Sequence, residues 1–221
     1  LLVGSEGILG AITKAKLRIR RLPEVKKYEG LMFKSFREGI NAIRETMQNG
    51  LIPAMMRLSD PDETRVSLML SSQPKGLIDS ATRKLGLWML KQLRYLSPQA
   101  SLMILGNEGT RASANAERDA AIAACKRNGA FIIGSEVGKT WLEERFELPY
   151  LRDVLLDHCI LVDTLETATT WDKLEALHGA IKESIERAIA DMGVTGLAFA
   201  HVSHSYSDGA SLYFTVVAPQ V

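Results

Sequence analysis

Three times along the chain a short apolar run gives way to a segment with apolar residues at three- and four-residue steps, and then to a second apolar run. The first passage predicts a strand over 28–36, a helix over 37–49 with Ile40, Ile43 and Met47 on one face, and a strand over 54–58. Asn49 and Gly50 close that helix, since both tolerate a left-handed C-terminal conformation. The second predicts a strand over 102–105, a helix over 112–127 stopped by Asn128-Gly129, and a strand over 131–133. The third is the longest: a strand over 159–167, then a helix over 171–192 in which Trp171, Leu174, Leu177, Ile181, Ile185, Ala188 and Met192 keep helical spacing. Thr169 or Thr170 supplies its N-cap oxygen and Gly193 ends it. Strands over 194–204 and 211–217 flank Asp208-Gly209, a strong hairpin signal.

The connecting stretches add shorter elements. Residues 13–19 alternate between two faces as a strand does, Pro23 stops them, and the polar run 23–27 reads as a crossing between two domains. Asp60-Pro61-Asp62-Glu63 opens a short helix by placing acidic groups at its positive end. A helix over 78–93 carries Trp88, Leu90 and Leu93, and a charged helical segment covers 141–146. Together these predict an α+β domain, a ferredoxin-like antiparallel sheet with helices mainly on one face.

Composition narrows the function classes. At 221 residues, 46% hydrophobic and 24% charged, the chain can bury a substantial core. A formal net charge of +1 and the absence of a basic stripe argue against a nucleic-acid partner. No apolar run approaches the length of a membrane span. Cys125 and Cys159 have no metal spacing and suit buried thiols in a reducing compartment, which makes a cytoplasmic location the expectation.

Several positions could carry chemistry. Gly4, Gly7 and Gly10, between an apolar entry and an alternating exit, form a backbone that a large ligand can approach closely. That stretch does not read as a native N-terminus, so the chain is expected to be the C-terminal part of a larger protein. Gly134-Ser135-Glu136-Val137-Gly138-Lys139-Thr140 is one residue short of a phosphate-binding loop and reads better as a turn leading into a helix. His201 and His204, three apart on a strand, should face opposite ways and not form a metal pair, although either could act as an acid, a base or a substrate donor. His158 and His178 read as surface or packing residues. Arg57 and Arg152 sit in apolar contexts and need an anionic partner, either a ligand or a protein carboxylate such as Asp60 or Asp153. Tyr213, on a predicted central strand, reads as either core or catalytic.

The run Gly4-Ser5-Glu6-Gly7-Ile8-Leu9-Gly10-Ala11-Ile12-Thr13 resembles the Gly-Ser-Glu-Gly-Thr-Leu-Gly segment of FAD-linked oxidases of the vanillyl-alcohol oxidase superfamily, departing from it at Ile8. Pro53-Ala54-Met55-Met56-Arg57-Leu58, Tyr150-Leu151-Arg152-Asp153, Thr169-Thr170-Trp171-Asp172 and Gly209-Ala210-Ser211-Leu212-Tyr213-Phe214 are most similar to the alkylglycerone-phosphate synthase family of ether-lipid enzymes. The resemblance implies that residues 1–22 are the remnant of an FAD-binding domain and 23–221 most of a substrate-binding cap. It implies FAD as cofactor, held in part by Gly4, Ser5, Glu6, Gly7, Ile8, Gly10 and Ile12. It further implies Tyr213 as acid/base and Arg152 in the active site, with the two converging on one cavity. Arg57 would maintain the site or bind substrate, with His201 and His204 as further substrate-binding candidates. The substrate would be an anionic alcohol, a hydroxy acid or an acyl-glycerone phosphate, in a possible homodimer. An FAD-dependent D-2-hydroxy-acid dehydrogenase, or a non-catalytic binding or oligomerisation module, is the alternative.

Overall fold

The computed structural model describes residues 4–5, 7–19, 21–70, 90–146 and 150–220. Its strands are β1 (Val25–Phe33), β2 (Met55–Ser59), β3 (Ser101–Gly109), β4 (Phe131–Gly134), β5 (Ile160–Thr170), β6 (Leu197–Ser205) and β7 (Gly209–Pro219). The helices are α1 (Phe36–Gln48), α2 (Pro61–Leu70), α3 (Arg111–Arg127), α4 (Ser135–Glu144), α5 (Leu151–Asp157) and α6 (Leu174–Asp191). All seven strands join one antiparallel sheet in the order β4-β1-β3-β2-β6-β7-β5. The first two strand-helix-strand passages interleave to give the β4-β1-β3-β2 arrangement of a ferredoxin-like unit, and β6, β7 and β5 extend it beyond β2.

One face of the sheet carries the core. Leu31 and Phe33 of β1, Leu58 of β2, Met103 and Leu105 of β3, Val202 of β6 and Leu212 and Phe214 of β7 are buried there. They pack against Phe36, Ile40 and Ile43 of α1, Ile122 and Cys125 of α3 and Leu174 of α6. Alternation along each strand sends the intervening residues to the opposite face. At the β4-β1 end that face is covered, because Val137 of α4 packs with Ile133 against Met32. Gly138 is required at this contact: a Cβ there would stand 2.5 Å from the Tyr28 carbonyl carbon and 2.7 Å from the Glu29 nitrogen. The glycine of the near-phosphate-loop motif therefore lets α4 lie directly on β1. At the β6-β7-β5 end the opposite face is open among the described residues, and there β6 alternates buried with half-buried positions over 198–203.

Trp171 anchors that end. It is buried below the hairpin, where its indole Nε1 donates to the Tyr206 and Ser207 carbonyls at 3.1 and 3.2 Å. At Gly209 a Cβ would meet the Thr169 carbonyl oxygen at 2.2 Å, so the Asp208-Gly209 hairpin needs its glycine for close approach to β5.

Five expectations are corrected. Residues 13–19 pair with no strand of this sheet, and Ile12, Leu17, Ile19 and Leu22 are exposed, since alternation makes a strand only where a neighbour accepts its hydrogen bonds. The polar run 23–27 is not all a crossing, because β1 already begins at Val25. Helix α4 starts at Ser135, not near Trp141. Helix α6 starts at Leu174 with Lys173 at its N-cap; Thr169 and Thr170 remain in β5, where pairing with Ala210 and Gly209 holds them extended. Cys125 is buried, but Cys159 is exposed beyond the end of α5, and both thiols are free. The helix expected over 78–93 lies outside the described residues except for 90–93, of which 90–92 are helical. No helix among the described residues is long and apolar enough to cross a membrane.

Gly138→Ala should destabilise the chain by about 1–3 kcal/mol, the cost of overpacking against rigid backbone. Gly179→Ala, in α6 with open space around it, should instead stabilise by up to about 1 kcal/mol through helix propensity. Urea unfolding of the two variants measures both.

Candidate active site on the open sheet face

Directly paired residues of antiparallel strands share a face, and the registers set Glu166 of β5, Tyr213 of β7, His201 of β6 and Ser59 of β2 side by side in one row. This row crosses the open face. The His201 and Tyr213 rings stack with centroids 5.2 Å apart and planes inclined by 26°. Arg57, two residues before Ser59 on β2, lies on the same face.

Glu63, in the first turn of α2, closes the group from behind. Its Oε1 lies 2.8 Å from Arg57 Nη2 and 3.0 Å from His201 Nδ1, and the Arg57 and His201 nitrogens are 3.1 Å apart. Burial alone pushes the Glu63 carboxyl up, but the Arg57 charge and the His201 hydrogen bond and charge, with the neighbouring Ser59 hydroxyl, outweigh it and hold the group at about 2. Glu63 is therefore an anion at neutral pH, and its Oε2 is buried with no partner among the described residues. The turn is built by Asp60, whose Oδ1 accepts the Glu63 amide at 2.8 Å as a helix N-cap. Asp60 Oδ2 faces the other way, accepting His178 Nε2 of α6 at 3.0 Å with Lys182 Nζ 3.8 Å away.

A second polar group adjoins the first. Ser203 Oγ donates to Glu166 Oε1 at 2.9 Å, and Ser211 Oγ lies 2.7 Å from Ser203 Oγ and 3.2 Å from the same carboxylate oxygen. Tyr213 thus lies between an imidazole on one side and a carboxylate with two hydroxyls on the other, on a face open to a ligand.

The sequence-predicted residues divide accordingly. Arg57, His201 and Tyr213 come together. Arg57 has a protein partner, but it is Glu63 and not Asp60, because α2 turns back over the sheet and carries Glu63 to Arg57 while Asp60 caps the helix. His178 is a packing residue between Phe36 and Phe214. His204 is exposed within the irregularity between Val202 and Ser205, its amide donating to Ser211 Oγ at 3.2 Å. Arg152 is exposed on α5 and has no hydrogen-bond or ion-pair partner among the described residues, Asp153 included. No contact among the described residues joins it to Tyr213. Gly4, Gly7 and Gly10 have φ of +86°, +84° and +148°, with open space where each Cβ would stand; Ser5, Ile8 and Ile12 lie in the same segment, and Glu6 lies outside the described residues. Glu63, Glu166, Ser203 and Ser211 escaped the sequence reading. Glu63 was visible only as a helix-dipole acid, and the other three are ordinary strand residues until β5, β6 and β7 are paired.

Comparison with known proteins adds lineage to this geometry. Residues 22–220 match the family model described as FAD linked oxidases, C-terminal domain. The chain belongs to this family. Alkyldihydroxyacetonephosphate synthases of Dictyostelium discoideum and Trypanosoma brucei brucei are 34% and 35% identical to it over all of this chain, which spans 36% of each relative's length. A solved alkyldihydroxyacetonephosphate synthase superposes with a TM-score of 0.83 at 34% identity, over 98% of this chain and 40% of that one. In this FAD-linked oxidase domain the open sheet face carries two adjoining polar groups, Arg57-Glu63-His201 and Glu166-Ser203-Ser211.

The depressed Glu63 pKa makes a signed prediction. Its stabilisation is fully present above the unfolded value of 4.5 and is lost as the pH falls toward 2. Over that window the wild type should lose on the order of 3 kcal/mol more stability than Glu63→Gln, read from urea midpoints at stepped pH.

Proposed function

We propose that this chain is the substrate-binding part of an FAD-dependent enzyme similar to alkyldihydroxyacetonephosphate synthase, with Tyr213 as the group that takes and returns the substrate proton. The observation that carries the reading is Tyr213 on the open sheet face, stacked on an imidazole tied to a buried ion pair, in a chain about one-third identical throughout to such synthases. In this reading residues 1–22 belong to the FAD-binding domain and 23–221 to the cap.

The residues present fit the edge of a flavin site. The Gly4, Gly7 and Gly10 backbone is unencumbered by side chains, and with Ser5, Glu6, Ile8 and Ile12 it would hold one margin of the cofactor. Bound FAD supplies an electron-pair acceptor for a carbon that loses a proton. The chain's own residues do the rest. The Tyr213 hydroxyl exchanges a proton with the substrate. Arg57 brings donors and positive charge to its side of the face and His201 stacks against the Tyr213 ring, while Glu63 keeps Arg57 in place, which favours a site-maintaining role for that arginine. Arg152, without a partner among the described residues, is available to an anionic substrate group such as a phosphate. The Ser203-Ser211-Glu166 group offers hydrogen bonds to substrate hydroxyls, and His204 lies at the margin of the face.

The identity to synthases favours acyl-for-alkyl exchange over hydroxy-acid oxidation. The free thiols support a cytoplasmic location. The long edge strand β5, with Leu161 and Leu165 exposed, supports a homodimer, which light scattering of the full-length protein measures.

The test is made in the full-length protein. It should carry flavin absorbance and convert acyl-dihydroxyacetone phosphate with a long-chain alcohol, without oxidising D-2-hydroxy acids. Tyr213→Phe should lower kcat by roughly 10²–10⁴-fold, and Arg152→Ala should mainly raise KM. Hydroxy-acid oxidation would favour the dehydrogenase, and absence of flavin a non-catalytic module.

A further inference from the structure

The contacts at His201 Nδ1 favour one placement of the ring proton. Two groups compete for that nitrogen at nearly equal distance: Arg57 Nη2 at 3.1 Å, which can only donate, and Glu63 Oε1 at 3.0 Å, which as an anion can only accept. If Nδ1 carried a lone pair, that lone pair would face a buried carboxylate whose other oxygen already lacks a partner. If Nδ1 carries the proton, it donates to Glu63 in a charge-assisted bond. Arg57 loses nothing by this, because its Nη2 donates to the same Oε1 at 2.8 Å in either case. The proton therefore belongs on Nδ1. The remaining ring nitrogen, Nε2, has no hydrogen-bond partner among the described residues, while the imidazole is stacked on Tyr213.

We propose that Glu63 and His201 form a carboxylate–imidazole dyad that holds His201 as the Nδ1–H tautomer and presents Nε2 as an unprotonated acceptor beside Tyr213, making Glu63 a positioning residue of this site. The proposal rests on the reading of the open face as the substrate site and adds to it a place where a proton can be held. When a hydroxyl at the face gives its proton to Nε2, the O–H bond breaks, an N–H bond forms, and the imidazolium is stabilised by the Glu63 carboxylate. Return of the proton restores both groups, with no change of oxidation state. Burial of Glu63 makes the dyad rigid: its side chain is 7% exposed, and that of His201 13%. His204 has no such carboxylate among the described residues, which separates the two histidines that the sequence treated alike.

The test reads the tautomer directly and needs neither flavin nor substrate, so it can fail independently of the proposed reaction. Long-range ¹⁵N–¹H correlation spectra of the ¹⁵N-labelled full chain at neutral pH, with His201 assigned by comparison with His201→Gln, should show His201 protonated at Nδ1 and bare at Nε2. In Glu63→Gln, where an amide replaces the anion, the population should shift toward the Nε2–H form. In Tyr213→Phe the wild-type tautomer should persist, since the ring stack needs no hydroxyl. An Nε2–H tautomer in the wild type would overturn the dyad, and so would an Nδ1–H tautomer unmoved in a folded Glu63→Gln. If Glu63→Gln does not fold, the wild-type spectrum decides alone. A retained dyad in a full-length protein without synthase activity would leave the dyad standing and remove the reaction.

Discussion

The turn from β2 into α2 buries two carboxylates three residues apart, and much of the molecule is arranged around satisfying them. Asp60 and Glu63 are each almost wholly out of water, where an unpaired anion would cost several kcal/mol. Their cations come from opposite sides of the sheet. Asp60 draws His178 and Lys182 from α6 in the helical layer, and Glu63 draws Arg57 and His201 from the open face. One turn of chain thereby ties the two surfaces of the sheet together. Removing either carboxylate would leave buried donors without an acceptor, and removing either partner would leave a buried charge without compensation.

This constraint explains why the open face is precise without being thickly covered. A sheet face free of packed helices would ordinarily allow its side chains several rotamers. Here His201 is pinned at Nδ1 by Glu63 and on its ring face by Tyr213, while Trp171 ties down the hairpin joining β6 to β7. Support comes from behind and beside the polar row, which leaves its front free. The division is sharp along the sheet: α4 lies directly on β1 through Gly138 at one end, and at the other no helix of the α1-α3-α6 layer crosses to the polar side.

Much of this architecture was legible in the pattern of residues. Helix α1 falls within a residue of its expected span because its apolar steps and its Asn49-Gly50 stop are local facts, and the same holds for α3. The ferredoxin-like arrangement followed from counting strand-helix-strand passages. Local pattern failed where the deciding partner was distant. Residues 13–19 alternate like a strand but no strand of this sheet pairs with them, and Thr170 looks like a helix cap but is held by Gly209 across the sheet. Arg57 announced that it needed an anion, yet the choice between Asp60 and Glu63 depended on how α2 turns.

Sequence by itself determined the elements, the helical layer, the family and the candidates Tyr213, His201 and Arg57, because periodicity, turn chemistry and motif are written in consecutive residues. Tertiary structure alone decided which of those candidates meet. It put Glu166, Tyr213, His201 and Ser59 in one row through strand register, brought in Glu63, and left Arg152 and His204 exposed. The physical reason is that strand register and helix entry angle are fixed by the burial of whole faces and by the pairing of buried charges. Those are sums over residues far apart in the chain, so no local stretch carries them.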